Sequence, residues 1–294
     1  MANLKEIRIR LNSVKSTRQI TSAMKMVSAA KLRKAQDSIL GLRPFYNKLY
    51  DIVSHVNAEM EQEFESVFSH SSESGKILIV MITSNRGLCG AFNSNIVKRT
   101  IQAIHGSYSE AYNNGKLDII AIGKKGADQL KSKGYKVLSA HNELFDKLSF
   151  ENTVHMAEWI MNNFTSGTYG VVKLIYNQFR NAAVQEVKEE LFLPLMKSAD
   201  GEAPFESHAD YIYEPTRLDI LQEIIPYTLK VQLFRSLLES SASEHGARMT
   251  AMHKATDNAT ELIRELELNY NKARQAAITG EILEIVGGAE ALNK

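Results

Sequence analysis

The chain has one cysteine, Cys89, one tryptophan and only five prolines in 294 residues, about a third of the usual proline frequency. A lone thiol cannot close an internal disulfide, so packing alone must hold the fold, and a reducing, cytoplasmic setting is expected. No run of about 18 apolar residues occurs, which excludes a spanning helix. The first ten residues are charged and lack the apolar stretch of a secretory signal. Neither sign of charge dominates: the formal net charge is +1. With 44% hydrophobic and 23% charged residues the chain has material for a packed core and no compositional mark of disorder, and its length allows one or two domains.

The scarcity of proline matters most at the two ends. Leu4 to Leu42 contains none, and no glycine before Gly41; Tyr227 to Gly287 contains none either. As helices these stretches would be roughly 60 Å and 90 Å long at 1.5 Å per residue. A compact globule of this length is about 50 Å across. The longer helix is therefore expected to project, and its apolar stripe must be buried by something.

In the C-terminal stretch a step of four then three runs through Leu238, Ala242, His245, Met249, Met252, Thr256, Ala259, Ile263, Leu266, Tyr270, Ala273 and Ala277. This 3.5-residue repeat is the seam of a left-handed coiled coil. Small and soft residues dominate it, so the packing is expected to be close but not very tight, and Ala242, Met249, Met252 and Ala259 read as core only. Near the tip the stripe shifts to Ile278, Ile282 and Ile285. The partner seam is expected at Leu4, Ile7, Leu11 and Val14, slipping onto Ile20, Ala23, Val27 and Ala30. Two such helices leaving one side of a central region must run antiparallel. Ile278, Ile282, Ile285 and Val286 then lie beyond the shorter arm, facing water at about 25 cal/mol per Å² unless the tip folds back or another protein covers it.

Cationic charge is concentrated in the first helix. Between Met1 and Lys34 nine basic residues stand against Glu6 alone, a net of +8. A nucleic-acid arm, an anionic-membrane helix and a face opposite acidic protein loops all fit such a rod.

Between them, residues 75–195 alternate strand and helix signals. Lys76 to Thr83 is the continuous apolar run of a buried parallel strand. Leu117–Ile122 and Tyr135–Leu138 repeat it, with helical patterns at Asn95–His105 and Lys124–Lys133. Val171–Phe179 and Val184–Leu193 read as two further strands, joined by the Arg180-Asn-Ala182 turn. The expected organisation is α/β: a long antiparallel coiled-coil shaft from 1–60 and 212–294, a Rossmann-like α/β domain at 75–195, and an exposed loop at 196–211.

Reaction centres are not evident. Ser84-Asn-Arg-Gly-Leu-Cys-Gly90 and Gly123-Lys-Lys-Gly126 follow strands but match neither the P-loop nor the dinucleotide fingerprint. Tight strand-to-helix turns explain these glycines more simply than phosphate binding does. A nucleotide-binding enzyme would require the Gly87–Gly90 turn to hold phosphate. His245 and His253 lack a metal-ligand spacing, no serine sits in a glycine-flanked elbow, and Cys89 has no evident base. No catalytic, metal or cofactor residue is assigned.

Several motifs together resemble one family. They are Lys5-Glu-Ile-Arg8, Ile20-Thr-Ser-Ala-Met-Lys-Met-Val27, Ala30-Lys-Leu-Arg-Lys34, Ser84 to Gly90, Met249-Thr-Ala-Met-His-Lys-Ala-Thr-Asp-Asn258, Asn271-Lys-Ala-Arg-Gln-Ala-Ala-Ile-Thr279 and Glu281-Ile-Leu-Glu-Ile-Val-Gly-Gly-Ala289. They resemble the γ subunits of F-type ATP synthases over essentially the whole length. The resemblance implies a central-stalk rotor without catalytic sites of its own, turning inside a hexamer of α and β subunits. Its α/β domain would be attached to the ε subunit and the membrane ring of c subunits. By matched motif, Met24 and Lys25 face β, and Arg248, Arg274, Gln275, Thr279 and Glu281 make polar contacts with β loops; Ile282 and Ile285 belong to the tip that the hexamer covers. Met1 directly ahead of the motif points to a bacterial protein, peripheral on the cytoplasmic side of the inner membrane. The alternative from another class is a basic coiled-coil nucleic-acid-binding protein, whose affinity would fall steeply with salt.

Overall fold

A computed structural model describes residues 4–59, 67–69, 75–195 and 216–292. A helix α1 (Leu4–Glu59) opens the chain and α7 (Arg217–Leu292) closes it. Between them come β1 (Lys76–Ile82), α2 (Phe92–His105), α3 (Ser109–Asn113), β2 (Leu117–Ile122), α4 (Lys124–Ser132), β3 (Ser139–His141), α5 (Glu143–Asp146), α6 (Phe150–Thr165), β4 (Tyr169–Phe179) and β5 (Gln185–Leu193). The expected loop at 196–211 lies outside the described residues.

The strands form one sheet in the order β3-β2-β1-β4-β5, parallel except for antiparallel β5. The continuous apolar run of β1 follows from its central place. Side chains alternate along a strand, and here Leu78, Val80 and Ile82 enter the core on one face while Ile79 and Met81 enter the core on the other. On the first face lie Met156, Ala157, Ile160 and Phe164 of α6 and Leu221, Ile225, Leu229, Leu233 and Leu237 of α7. The second face is covered by Ile96, Val97 and Ile104 of α2 and Ala127 and Leu130 of α4.

The short helices α3 and α5, helix α6 and the position of β3 depart from the sequence reading. Helix α6 was not anticipated, although Met156, Ala157, Ile160, Met161 and Phe164 fall at helical spacing and the Ser149 hydroxyl caps its start by accepting from the Asn152 amide. The third strand is at 139–141 rather than 135–138. Tyr135 is taken up in ending α4: its amide donates to the Leu130 carbonyl and that of Gly134 to Lys131, the paired bonds of a Schellman cap. Pairing with β2 can begin only after that cap is complete.

Both long helices also run through proline, at Pro44 and Pro226. An internal proline costs about 3 kcal/mol. Burial on either side offsets it: Tyr46 and Leu49 pack with Val231, and Leu221 and Ile225 enter the sheet core, each large side chain contributing about 1.5–3 kcal/mol.

The chain separates into two compact units, one of residues 1–28 with 249–294, the other of residues 29–248. In the first, Leu11 packs on Ile263 and Leu266, Lys15 lies 2.8 Å from Glu267, and the Thr256 hydroxyl donates to that of Thr21 at 2.9 Å. In the second, Arg43 lies 3.7 Å from Glu239 and Tyr46 packs on Val231. In each unit the α1 numbers rise as the α7 numbers fall, so the helices are antiparallel.

The α7 seam is where its repeat placed it: Leu238, Ala242, Met252, Ala259, Ile263 and Leu266 are buried, Tyr270 and Ala273 half-buried. The α1 seam is not. It never slips onto Ile20, Ala23, Val27 and Ala30, which are all exposed, Ile20 at 60% and Val27 at 57%. Instead the repeat continues through Arg18, Thr21, Lys25 and Ser28. Thr21 is satisfied by Thr256 and Ser28 by the Met24 carbonyl, so polar side chains sit in the seam at little cost.

Gly126 gives a direct test of the glycine-turn reading. A Cβ there would lie 2.5 Å from Thr83 Oγ1 and 2.6 Å from the Met81 terminal methyl. Gly126→Ala is expected to lose about 1–3 kcal/mol in chemical denaturation. Gly41→Ala, in open space on α1, is expected to gain about 0.5–1 kcal/mol. Equal midpoints for both variants would remove the close-approach explanation.

Candidate partner interface

In open α/β sheets, ligands gather outside the carboxyl ends of the strands where the strand order reverses, here between β1 and β4. That crevice is filled by the chain itself. The Ser84 amide donates to Asn93 Oδ1 at 3.0 Å and Asn93 Nδ2 to Ser84 Oγ at 2.8 Å, fixing the loop after β1. Ala247 of α7 packs against Cys89 and Phe92, and the Ser243 hydroxyl donates to the Asn177 carbonyl at 3.1 Å. Arg248 Nη2 donates to the Arg86 and Gly87 carbonyls at 3.1 and 3.2 Å, and its Nη1 to Glu244. The glycine turn that a phosphate reading requires is thus engaged with a helix of the same chain. Burial pushes the Cys89 thiol up, away from the reactive thiolate. Among the described residues no cluster of His, Cys, Asp and Glu could hold a metal ion.

His245, on the same turn of α7, has a buried Nδ1 without a hydrogen-bond partner. Burial first, then the positive charges of Arg248 and Lys31, push its pKa down to about 4. It is held as a neutral ring.

The residues assigned from family motifs fall into separate places. Arg248 belongs to the 29–248 unit, is 8% exposed, and turns its guanidinium into its own chain. The others lie in the 1–28/249–294 unit. Met24 and Lys25 are half-buried about one turn beyond Thr21, Lys25 in the seam and Met24 beside it. Arg274, Gln275, Thr279, Glu281, Ile282 and Ile285 are all exposed near the end of α7, roughly 25–45 Å beyond the level of Thr256 at 1.5 Å per residue. At 100° per residue Arg274, Ile278, Glu281, Ile282 and Ile285 share one face of that helix, with Gln275 and Thr279 beside it.

Apolar exposure marks the surface best. Beyond Ala273 no seam position remains covered: Ile282 is 54% and Ile285 71% exposed, with Ile278, Leu283 and Val286 similarly open. On α1, Ile20, Met26 and Val27 form a second exposed apolar group. Sequence reading missed it by assigning Ile20 and Val27 to the seam. The signal was available, since the steps 4, 7, 11, 14, 18, 21, 25 and 28 keep the repeat unbroken once polar residues are allowed in it. The basic charge of α1 is partly matched internally, by Glu267 against Lys15.

An α/β unit with its ligand crevice filled, and a helix pair whose apolar surface is left open, are features of a subunit built to work inside an assembly. The chain belongs to the ATP synthase family, whose model matches residues 3–292. It is 55% identical to the ATP synthase gamma chain of Flavobacterium johnsoniae and 50% identical to that of Cytophaga hutchinsonii, each match covering the whole of both chains. Among solved structures it resembles the central stalk and c-ring of the Tetrahymena thermophila mitochondrial ATP synthase, with a TM-score of 0.60 and 26% identity over 80% of this chain and 99% of that one. A rotor chain of the Euglena gracilis mitochondrial ATP synthase shares the fold, at TM-score 0.64 and 22% identity over 94% and 98% of the two chains. The nucleic-acid reading of the basic helix gains no support from these relatives.

His245 predicts a pH dependence. Its folded pKa, about 4, lies below the ordinary 6.5. The unfolded chain therefore takes up the proton first, and this contribution to stability is complete above about pH 6.5 and lost as pH falls toward 4. Relative to His245→Gln, the parent protein is expected to lose on the order of 1–2 kcal/mol between pH 7.5 and 4.5 in urea denaturation. Parallel pH profiles would show that the ring is protonated in place.

Proposed function

We propose that this chain is the non-catalytic rotor subunit of a proton-translocating ATP synthase, coupling proton flow through a membrane ring to ATP synthesis or hydrolysis at the β subunits. The observation that carries the reading is the open apolar tip of α7, which in this reading is covered by a bearing made by other chains. In this reading the helices of 1–60 and 212–294 serve as a shaft inside the α/β hexamer, and the domain at 75–195 is held by the ε subunit and the ring of c subunits. Met24, Lys25, Arg274, Gln275, Thr279, Glu281, Ile282 and Ile285 meet the hexamer, with charged side chains suited to charge-assisted hydrogen bonds. Arg248 acts within the chain by holding the Arg86–Gly87 turn. No described helix is long and apolar enough to cross a membrane, which suits a peripheral place on the cytoplasmic side of a bacterial inner membrane.

A single shaft in a ring of three catalytic β subunits touches each differently. Its angle therefore biases their open and closed states by differential contact, the only means by which a bound element shifts such equilibria. Reversing the rotation reverses the order in which the sites open.

Native mass spectrometry of the chain recovered from cells is expected to show α- and β-sized partners; recovery without them would count against the rotor reading. Ile282→Ser with Ile285→Ser is expected to weaken reconstitution with the hexamer at least tenfold, given about 25 cal/mol per Å² of apolar surface. Because both side chains are exposed in the free chain, its melting temperature should stay unchanged. Undiminished affinity would remove the tip from the bearing.

A further inference from the structure

The 29–248 unit holds a buried polar cluster that none of the surfaces above uses. Glu190 on β5 accepts from the Tyr176 hydroxyl on β4 at 2.7 Å, and from Gln232 Nε2 at 2.7 Å and Arg235 Nη2 at 2.8 Å on α7. Arg235 in turn lies over the Tyr46 ring of α1, its Cζ 4.0 Å from the centroid. Arg43 of α1 completes the ring of contacts, donating to the Phe179 carbonyl at the end of β4 at 3.3 Å and lying 3.7 Å from Glu239 of α7. One carboxylate thereby ties the sheet to α7, and one guanidinium ties α7 to α1.

This is an unexpected choice of residues for such a place. Tyr176 belongs to the apolar core on one face of the sheet, with Leu233 and Leu237 of α7, and Tyr46 to the cluster with Leu49 and Val231. A buried ion pair is commonly no more stabilising than apolar side chains of the same volume. What it adds is direction. Apolar surfaces tolerate small slides and repacking, whereas charge-assisted bonds at 2.7–2.8 Å hold a fixed geometry. Burial acts to raise the Glu190 carboxyl, but Arg235 and the hydrogen bonds from Tyr176 and Gln232 outweigh it and hold it below the usual carboxylate range. Burial and the Glu190 charge push the Tyr176 hydroxyl well up. The cluster therefore keeps an ionised carboxylate and a neutral tyrosine at neutral pH.

We propose that Glu190 and Arg235 form a torque-bearing joint, a pair of positioning residues that fixes the rotational setting of α1 and α7 against the sheet. The proposal rests on the rotor reading: torsion carried by the two helices must cross to the sheet within this unit. A joint of purely apolar contacts would let the pair turn by small slides before the sheet followed, and the coupling would be softer.

The test uses the assembled ATP synthase containing the full chain, with Glu190→Gln and Arg235→Gln made together so that neither member of the pair is left without the other. Its control is Glu158→Gln with Lys230→Gln, which removes a salt bridge of 2.7 Å between α6 and α7 in the same unit. The proposal expects the joint variant to assemble and hydrolyse ATP at the parental rate. It expects at least a twofold loss of rotor torsional stiffness in single-molecule rotation; the control should leave the stiffness unchanged. If the joint variant fails to assemble, Arg235→Lys, which keeps the charge but loses the planar fork, is expected to show the same loss of stiffness. Parental stiffness in an assembled variant would overturn the joint. Failure of the parent chain itself to assemble with a hexamer would overturn the rotor reading instead.

Discussion

The exposed surface of the 1–28/249–294 unit depends on the requirement that its two long helical segments share an unbroken seam. A 3.5-residue repeat keeps α1 and α7 in contact only while every step is honoured, and a single slip would turn all later positions away. Continuity therefore outranks local apolarity. Thr21 and Ser28 enter the seam, and Ile20 and Val27 are turned to the surface. The apolar side chains displaced by this rule become the exposed surface that a partner can use. Pairing and surface are thus two results of one constraint.

The same helices also complete the α/β unit. Residues of α7 cover one face of the sheet and plug the crevice between β1 and β4 with Ser243, Ala247 and Arg248. A sheet order that elsewhere accommodates ligands is here used as an attachment. The loop after β1 is shaped by Asn93 from within and by Arg248 from the helix, which leaves Leu88 of that loop with a left-handed backbone, φ 65°, and its side chain exposed.

Much of this was legible in the residues. The α7 repeat, the buried run of β1, β2, the β4–β5 pair and the tight turn at Gly123 each depend on local pattern, which a sequence carries. The features that were not legible depend on what the pattern meets. The α1 register follows from the partner helix, so a search for apolar residues alone chose Ile20 and Val27. The start of β3 follows from the capping bonds that end α4. Arg248 reads in the sequence as a cation free to meet a partner loop; only the fold places two carbonyls of its own chain within its reach. Nor does spacing bring Glu190 to Arg235, 45 residues apart.

The solitary thiol with which the sequence began has a practical side. Cys89 is shut away against Phe92 and Ala247, with its ionisation suppressed. The native chain is in effect already the blank that site-directed labelling requires. A cysteine introduced at an exposed position would be far more reactive than Cys89, so probes, cross-linkers and bead tethers can be directed to one place without first removing any residue the fold uses.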